Sequence, residues 1–393
     1  MEEAVIVSAV RTPIGKLNGA LREKSAAQLG AEVIREALAR SGADPASANE
    51  AIMGNVLQAG SGQNPARQAA LAAGLPPEVP AWTVNKVCGS GLKAIQLAWQ
   101  AIRCGESEVV VAGGMESMSQ APYLVPDARA GLRMGHGTFV DSLVHDGLWC
   151  AIGRHPMGIT AENLCERYSI GREELDRFAF ESQRRAAEAA REGRFREETI
   201  PVEVPAKGGS SATVEADEYP RPDTTLEKLL RLKPAFREDG RVTAGNSSGI
   251  NDGAAAVVLM SASRARALGA KPLAKLRSAA SAGVDPAYMG IGPVPAIRQA
   301  LSRAGLNETE IGLVELNEAF AAQALACLSH FRFDPSAVNP NGGAIALGHP
   351  IGASGARIVV SLVHEMARRG SRYGLAALCI GGGQGMAMVL ERA

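Results

Sequence analysis

The sequence predicts an α/β protein made of two related halves, with an insertion inside the first. Three observations carry this prediction. Short apolar, β-like runs alternate with amphipathic segments. A pattern near the start of the chain recurs near its end at a fixed offset. The middle of the chain differs in texture from both ends.

Strands are expected at Val5–Val7, Val109–Ala112, Ala254–Met260, Leu375–Ile380 and Met386–Leu390, each a compact apolar run of strand length. Helices are expected at Ala26–Arg40, Leu92–Arg103, Leu175–Arg191, Val294–Arg303, Phe320–His330 and Ala356–Arg369. Glycines follow several of them (Gly42, Gly105, Gly193, Gly305, Gly370), where a left-handed residue ends a helix without steric cost.

The repeat is specific. Residues 35–42 (REALARSG) match residues 298–305 (RQALSRAG) at five of eight positions, with an offset of 263. Ser90-Gly91 falls on Ser354-Gly355 at an offset of 264. Two matches at nearly one offset, each before or within a helix, indicate duplicated halves of roughly 130 residues with about 120 between them. The expected division is 1–120 plus 243–270 for the first half, 121–242 for the insertion, and 271–393 for the second half. The insertion carries the Gly/Arg/Met-rich stretch Arg129–Gly137, a charged helix and the Pro-rich turn Tyr219–Asp223.

The 393 residues exceed the size of one ordinary hydrophobic core. Basic and acidic side chains number 41 each, so broad attraction to nucleic acid or an anionic membrane is not expected. No run reaches the roughly 18 apolar residues of a membrane span. Six cysteines without a C-x-x-C pair suit neither a disulfide scaffold nor zinc, and a soluble, reducing, cytoplasmic setting is expected.

Four glycine-flanked strand ends could carry chemistry. Cys88 precedes Gly89-Ser90-Gly91 and an apolar-faced helix, where the positive helix end would favour a thiolate. A buried structural cysteine fits the same position. His349 lies between Gly348 and Pro350, which fix the backbone and leave room for a base to reach a thiol. Cys379 ends an apolar strand before Gly381-Gly382-Gly383, a run able to present N–H donors. A dinucleotide loop would open a helix there, whereas another strand follows. Asn317 in Asn317-Glu318-Ala319-Phe320 reads either as a site residue or as a helix cap.

Together, Cys-Gly-Ser-Gly, Asn-Glu-Ala-Phe, Gly-His-Pro and Cys-Ile-Gly-Gly-Gly, in this order, resemble the thiolase family. The resemblance runs along the whole chain, including residues 10–15 (VRTPIG), 243–249 (TAGNSSG) and 289–293 (MGIGP). The middle segment resembles the tetrameric biosynthetic branch, with one departure. That branch reads Tyr-His-Met-Gly where this chain reads His155-Pro156-Met157-Gly158, so the histidine that contacts the pantetheine arm there is Pro156 here.

The resemblance implies a layered αβαβα fold and a reversible condensation of two acetyl-CoA to acetoacetyl-CoA and CoA. The thioesters are substrates, and no cofactor or metal is implied. Cys88 would be the acylated nucleophile, His349 its base and Cys379 the base at the α-carbon. His349 and an Asn317-held water would face the enolate, and the N–H groups of Cys88 and Gly381 the tetrahedral oxyanion. Met157, Arg221, Lys228, Ser248, Ala319 and Phe320 would meet the CoA arm. A loop near Arg129–Thr138 would build a homotetramer. The alternatives are a broader-chain 3-ketoacyl-CoA thiolase or a non-catalytic CoA-binding relative. A ketoacyl synthase uses a Cys-His-His set, which Asn317 and Cys379 argue against.

Overall fold

A computed structural model describes residues 2–206 and 209–393. Nine strands form one continuous hydrogen-bonded path: β1 (Ala4–Arg11), β2 (Glu50–Gly54), β3 (Ala81–Val84), β4 (Val109–Ser117), β5 (Asn251–Ser261), β6 (Ala274–Gly283), β7 (Leu313–Leu316), β8 (Tyr373–Ile380) and β9 (Gln384–Arg392). The spatial order is β7-β8-β9-β6-β1-β5-β4-β2-β3.

The duplication is visible in this order. In the first half β2 pairs parallel with β3 and β4, and β5 then pairs antiparallel with β4 and β1. In the second half β7 pairs parallel with β8, and β9 pairs antiparallel with β8 and β6. Val338 takes the outer place beyond β7 through a parallel bridge to Val314, where the first half has β3. Both halves carry a register irregularity at matching places, between Ile6 and Ser8 and between Leu276 and Ser278. Where the sheets of the two halves meet, Val5 pairs with Lys275 and Ile6 with Ala274.

Strand alternation sorts the side chains into layers. Val109 and Val111 face α1 (Ala26–Ser41) and α2 (Pro65–Ala73), whereas Val110 and Ala112 face the centre. In the second half Leu375 and Ala377 face α6 (Pro293–Ala304) and α7 (Ala321–Leu328), with Ala376, Leu378 and Ile380 turned inward. The centre is filled by α3 (Ser90–Cys104) and α8 (Ile351–Arg369). Helices and sheets therefore stack as αβαβα, and α8 is buried on nearly every side.

The two central helices cross at their glycines. A Cβ on Gly91 would lie 2.7 Å from the Ala356 nitrogen, and one on Gly355 would lie under 3.0 Å from the Leu92 nitrogen. No side chain fits there, so the Ser-Gly pair shared by the halves is a packing requirement.

The helix expected at Ala356 begins at Ile351 instead. Its first two turns contain Gly352 and Gly355, which serve close packing. Gly42, Gly105, Gly305 and Gly370 are left-handed caps, as expected. Gly193 is left-handed as well, but lies one residue beyond the cap of α5 (Arg172–Arg191), which is Glu192. Short elements with weak period, such as α2, β2 and α4 (Met157–Arg167), were not anticipated. Between β4 and β5, α4 and α5 cover the second half around Cys379, while residues 126–139 lie exposed.

Candidate active site

Cys88 lies in the turn between β3 and α3. The preceding Val87 has φ +49°, a left-handed conformation that β-branched residues rarely adopt and that costs about 1–3 kcal/mol. Neighbouring bonds hold it there. Val87 N–H donates to Asn85 Oδ1 at 2.9 Å, and the Ser90 hydroxyl donates to the Val87 carbonyl at 2.6 Å. Lys86 Nζ reaches Gln384 Oε1 at 2.9 Å, tying the turn to the second half.

Cys88 is half-buried as a residue. Burial pushes its thiol up to about 11, although the N–H groups of Gly381 and of Cys88 itself act in the opposite direction. Burial therefore opposes the thiolate that a helix end would favour. Cys379 is buried at the end of β8, and burial followed by the neighbouring Cys88 sulfur raises it well above the ordinary thiol range. Gly381 opens the glycine turn between β8 and β9. A Cβ there would lie 3.5 Å from both Met157 Sδ and Val87 Cγ1.

His349 occupies the corresponding approach to α8. Gly348 has φ +106°, and the His349 N–H donates to Asn251 Oδ1 at 2.9 Å. The ring Nδ1 lies 2.6 Å from Ser354 Oγ, whose own proton goes to the Pro350 carbonyl at 2.8 Å. The serine oxygen is then the acceptor, so Nδ1 carries the hydrogen and Nε2 keeps a free lone pair. Nε2 is buried and has no partner among the described residues. Burial, with the Arg357 charge second, pulls the ring down to about 3, so the imidazole is neutral.

Asn317 follows β7 and is fully buried. It is not a helix cap, because α7 starts at Ala321 with Phe320 at its N-cap. Its Nδ2 lies 3.5 Å from His349 Nδ1, and its Oδ1 lies 3.4 Å from Arg357 Nη2.

A cavity of about 790 Å³ runs inward to His349 and Ile351. Met157, Arg221, Ser248 and Phe320 line it. Ala319 contributes its carbonyl, which accepts the Ser248 N–H at 3.0 Å, and is not on the cavity wall. Lys228 lines a smaller adjoining cavity beside Arg221, with Nζ 2.7 Å from Asp223 Oδ2. Pro156, and not His155, is on the main wall. His155 Nδ1 turns back to the Pro156 carbonyl at 3.1 Å.

Sequence reasoning missed three buried groups beside the site: Ser354, Arg357 and Glu315. Ser354 was visible as the repeat partner of Ser90, and the matching hydroxyl accepts the Lys86 N–H at 2.8 Å in the first half. Arg357 and Glu315 gave no signal, because their pairing crosses from α8 to β7. Among the described residues, no group of three or more His, Cys, Asp or Glu could hold a metal ion, and no helix is long and apolar enough to cross a membrane.

The chain matches the thiolase N-terminal domain over residues 4–263 and the thiolase C-terminal domain over residues 270–392. It is 59% identical over 392 residues to the acetyl-CoA acetyltransferase of Pseudomonas aeruginosa, covering 100% of both chains. Among solved structures, the Bacillus anthracis acetyl-CoA acetyltransferase aligns with a TM-score of 0.98 at 46% identity, covering 100% of this chain and 99% of the other. Human mitochondrial 3-ketoacyl-CoA thiolase aligns at 0.96 and 45%, with the same coverage.

Proposed function

This chain belongs to the thiolase family, and from that premise we propose that it is an acetyl-CoA C-acetyltransferase. In this reading it joins two acetyl-CoA into acetoacetyl-CoA and CoA, reversibly, through an acyl-cysteine. The carrying observation is His349 on the cavity wall, neutral and with Nε2 unpartnered.

Nε2 takes the Cys88 proton as sulfur attacks the thioester carbonyl, and the proton returns to the departing CoA sulfur. The N–H groups of Cys88 and Gly381 meet the tetrahedral oxyanion, a donor of this kind being worth about 3 kcal/mol of barrier. Cys379 passes its thiol proton to His349 Nε2 and, as a thiolate, removes an α-proton from a second acetyl-CoA. The resulting carbon attacks the acyl group, and the Cys88 sulfur leaves and takes the proton back from Nε2. The enolate oxygen is met by an Asn317-held water and by His349 Nε2 when that nitrogen carries a proton.

The first half supplies the nucleophile, the second half supplies Asn317, His349 and Cys379, and residues 121–242 hold the CoA arm. Met157, Ser248 and Phe320 border the pantetheine, Ala319 holds Ser248 through its carbonyl, and Arg221 and Lys228 lie toward the nucleotide. Exposed Leu132, Met134 and Phe139 favour a homotetramer built through this segment. Six free thiols suit a reducing cytoplasm.

Labelled acetyl-CoA tests the reading. Cys88→Ala should abolish incorporation of acetyl into protein, and Cys379→Ser should still acylate but condense poorly. Normal acylation of the Cys88 variant overturns the assignment. Pro156 on the cavity wall favours a second reading, a broader-chain 3-ketoacyl-CoA thiolase. Faster cleavage of a C8 3-ketoacyl-CoA than of acetoacetyl-CoA would select it.

A further inference from the structure

We propose that Arg357 is a positioning residue for the condensation step, fixing the amide of Asn317 so that its NH₂ group faces the reacting atoms. The proposal rests on the acyl-cysteine reading above.

An asparagine amide is nearly symmetric in shape, and a half-turn exchanges its acceptor for its donors. A carbonyl turned toward the cleft would repel an enolate oxygen, whereas an NH₂ group would bind it directly or through water. Something must break this symmetry. Arg357 does so, because a guanidinium only donates. Its Nη2 faces one end of the Asn317 amide at 3.4 Å, so that end is the oxygen.

The opposite end, Nδ2, then lies toward His349 Nδ1 at 3.5 Å. That ring nitrogen is no acceptor, since its hydrogen goes to Ser354 Oγ. The amide hydrogens of Asn317 are thus not taken up by the ring, and in the reading above they serve the group that enters the cleft. Arg357 is itself held from β7, through Nη1 to Glu315 Oε2 at 3.2 Å. Glu315, Asn317, Arg357 and His349 are all at most 5% exposed, so water does not compete for these bonds.

A structural role predicts something different. A buried ion pair contributes little stability relative to well-packed apolar residues of similar volume, while loss of one partner strands a buried charge. Arg357→Met alone therefore confounds folding with catalysis. The double variant E315L/R357M removes both charges and keeps the volume apolar.

The test separates the two half-reactions in the full-length enzyme. Acyl transfer is followed by labelled acetyl incorporation at Cys88, and carbon–carbon bond formation by acetoacetyl-CoA production. E315L/R357M should acylate within about threefold of the wild type and lose about 10²-fold in condensation kcat, the scale for a lost oxyanion donor. KM should change little. Arg357→Lys, which keeps a donor, should recover about tenfold of that loss. If the double variant folds and condenses within threefold, or if both half-reactions fall by the same factor, the positioning role is wrong. A wild type that does not acylate would instead overturn the underlying reading.

Discussion

The Nδ1 atom of His349 lies 2.6 Å from the Oγ atom of Ser354, and this contact sets which ring nitrogen is free. The serine proton is committed to the Pro350 carbonyl, so the histidine proton must sit on Nδ1. The first half has the same device: Ser90 donates to the Val87 carbonyl and accepts the Lys86 N–H. One duplicated serine thus orders the turn before Cys88 and its counterpart orders the base.

Ser354→Ala should therefore impair acylation rather than substrate binding. It leaves a buried Nδ1–H without a partner, a penalty of about 1–3 kcal/mol that the ring can relieve by moving its proton to Nε2. The base would then be blocked in part of the population. The acylation rate should fall about 10- to 100-fold, with the KM for acetyl-CoA within twofold. Rapid-quench acylation measures it, and a rate within twofold of wild type would remove Ser354 from the mechanism.

The pH behaviour follows from His349 and Cys88. The histidine is lowered to about 3 and the thiol raised to about 11, so thiol and neutral imidazole coexist between those limits. Acylation should show no acid limb from His349 between pH 5 and 7. Stability responds in the opposite window. The folded state holds this histidine neutral, so the unfolded chain binds one more proton below the free imidazole value of about 6.5. As pH falls from there toward 3, stability is lost at up to about 1.4 kcal/mol per unit. Urea unfolding at pH 7, 6 and 5 should show a smaller decline for His349→Asn than for wild type. Equal declines would contradict the buried neutral ring.

Much of this was legible in the sequence where function is local. Cys88, His349 and Cys379 each lie within two residues of a glycine, the local pattern expected where a ligand and backbone N–H donors must come close. The duplication was legible through Ser90-Gly91 and Ser354-Gly355, since close helix packing admits no Cβ. What joins distant elements was not. Arg357 meets Glu315 across 42 residues, and nothing in either segment names the other. Burial of Cys88, which opposes a thiolate there, is likewise a property of the assembled layers and not of the local sequence.

The crossing of α3 and α8 gives a stability prediction. Gly91→Ala puts a methyl 2.7 Å from the Ala356 nitrogen, a backbone atom that cannot swing aside. Overpacking of this kind costs about 1–3 kcal/mol or more, and Gly355→Ala should behave alike. Gly42→Ala is the control. It has open space around it but a φ of +70°, so its cost is backbone strain alone, about 1 kcal/mol. Chemical denaturation should rank the crossing variants below the cap variant. The reverse order would mean that the central helices can separate without loss.

His155 and Pro156 give the last prediction. His155 stands next to the position where the biosynthetic branch has its pantetheine-contacting histidine, yet its ring bonds its own neighbour's carbonyl and does not line the cavity. A rescue by His155 would require the ring to leave the Pro156 carbonyl and cross the chain. His155→Ala should therefore leave the KM for acetyl-CoA within about twofold, since a residue off the binding surface contributes little to affinity. Pro156→His should act on the same parameter, because it places a second imidazole on the cavity wall beside Met157. Steady-state kinetics with acetyl-CoA and a longer acyl-CoA read both variants. A fivefold or greater rise in KM for His155→Ala would show that the ring reaches the substrate, and its place off the cavity wall would then be wrong.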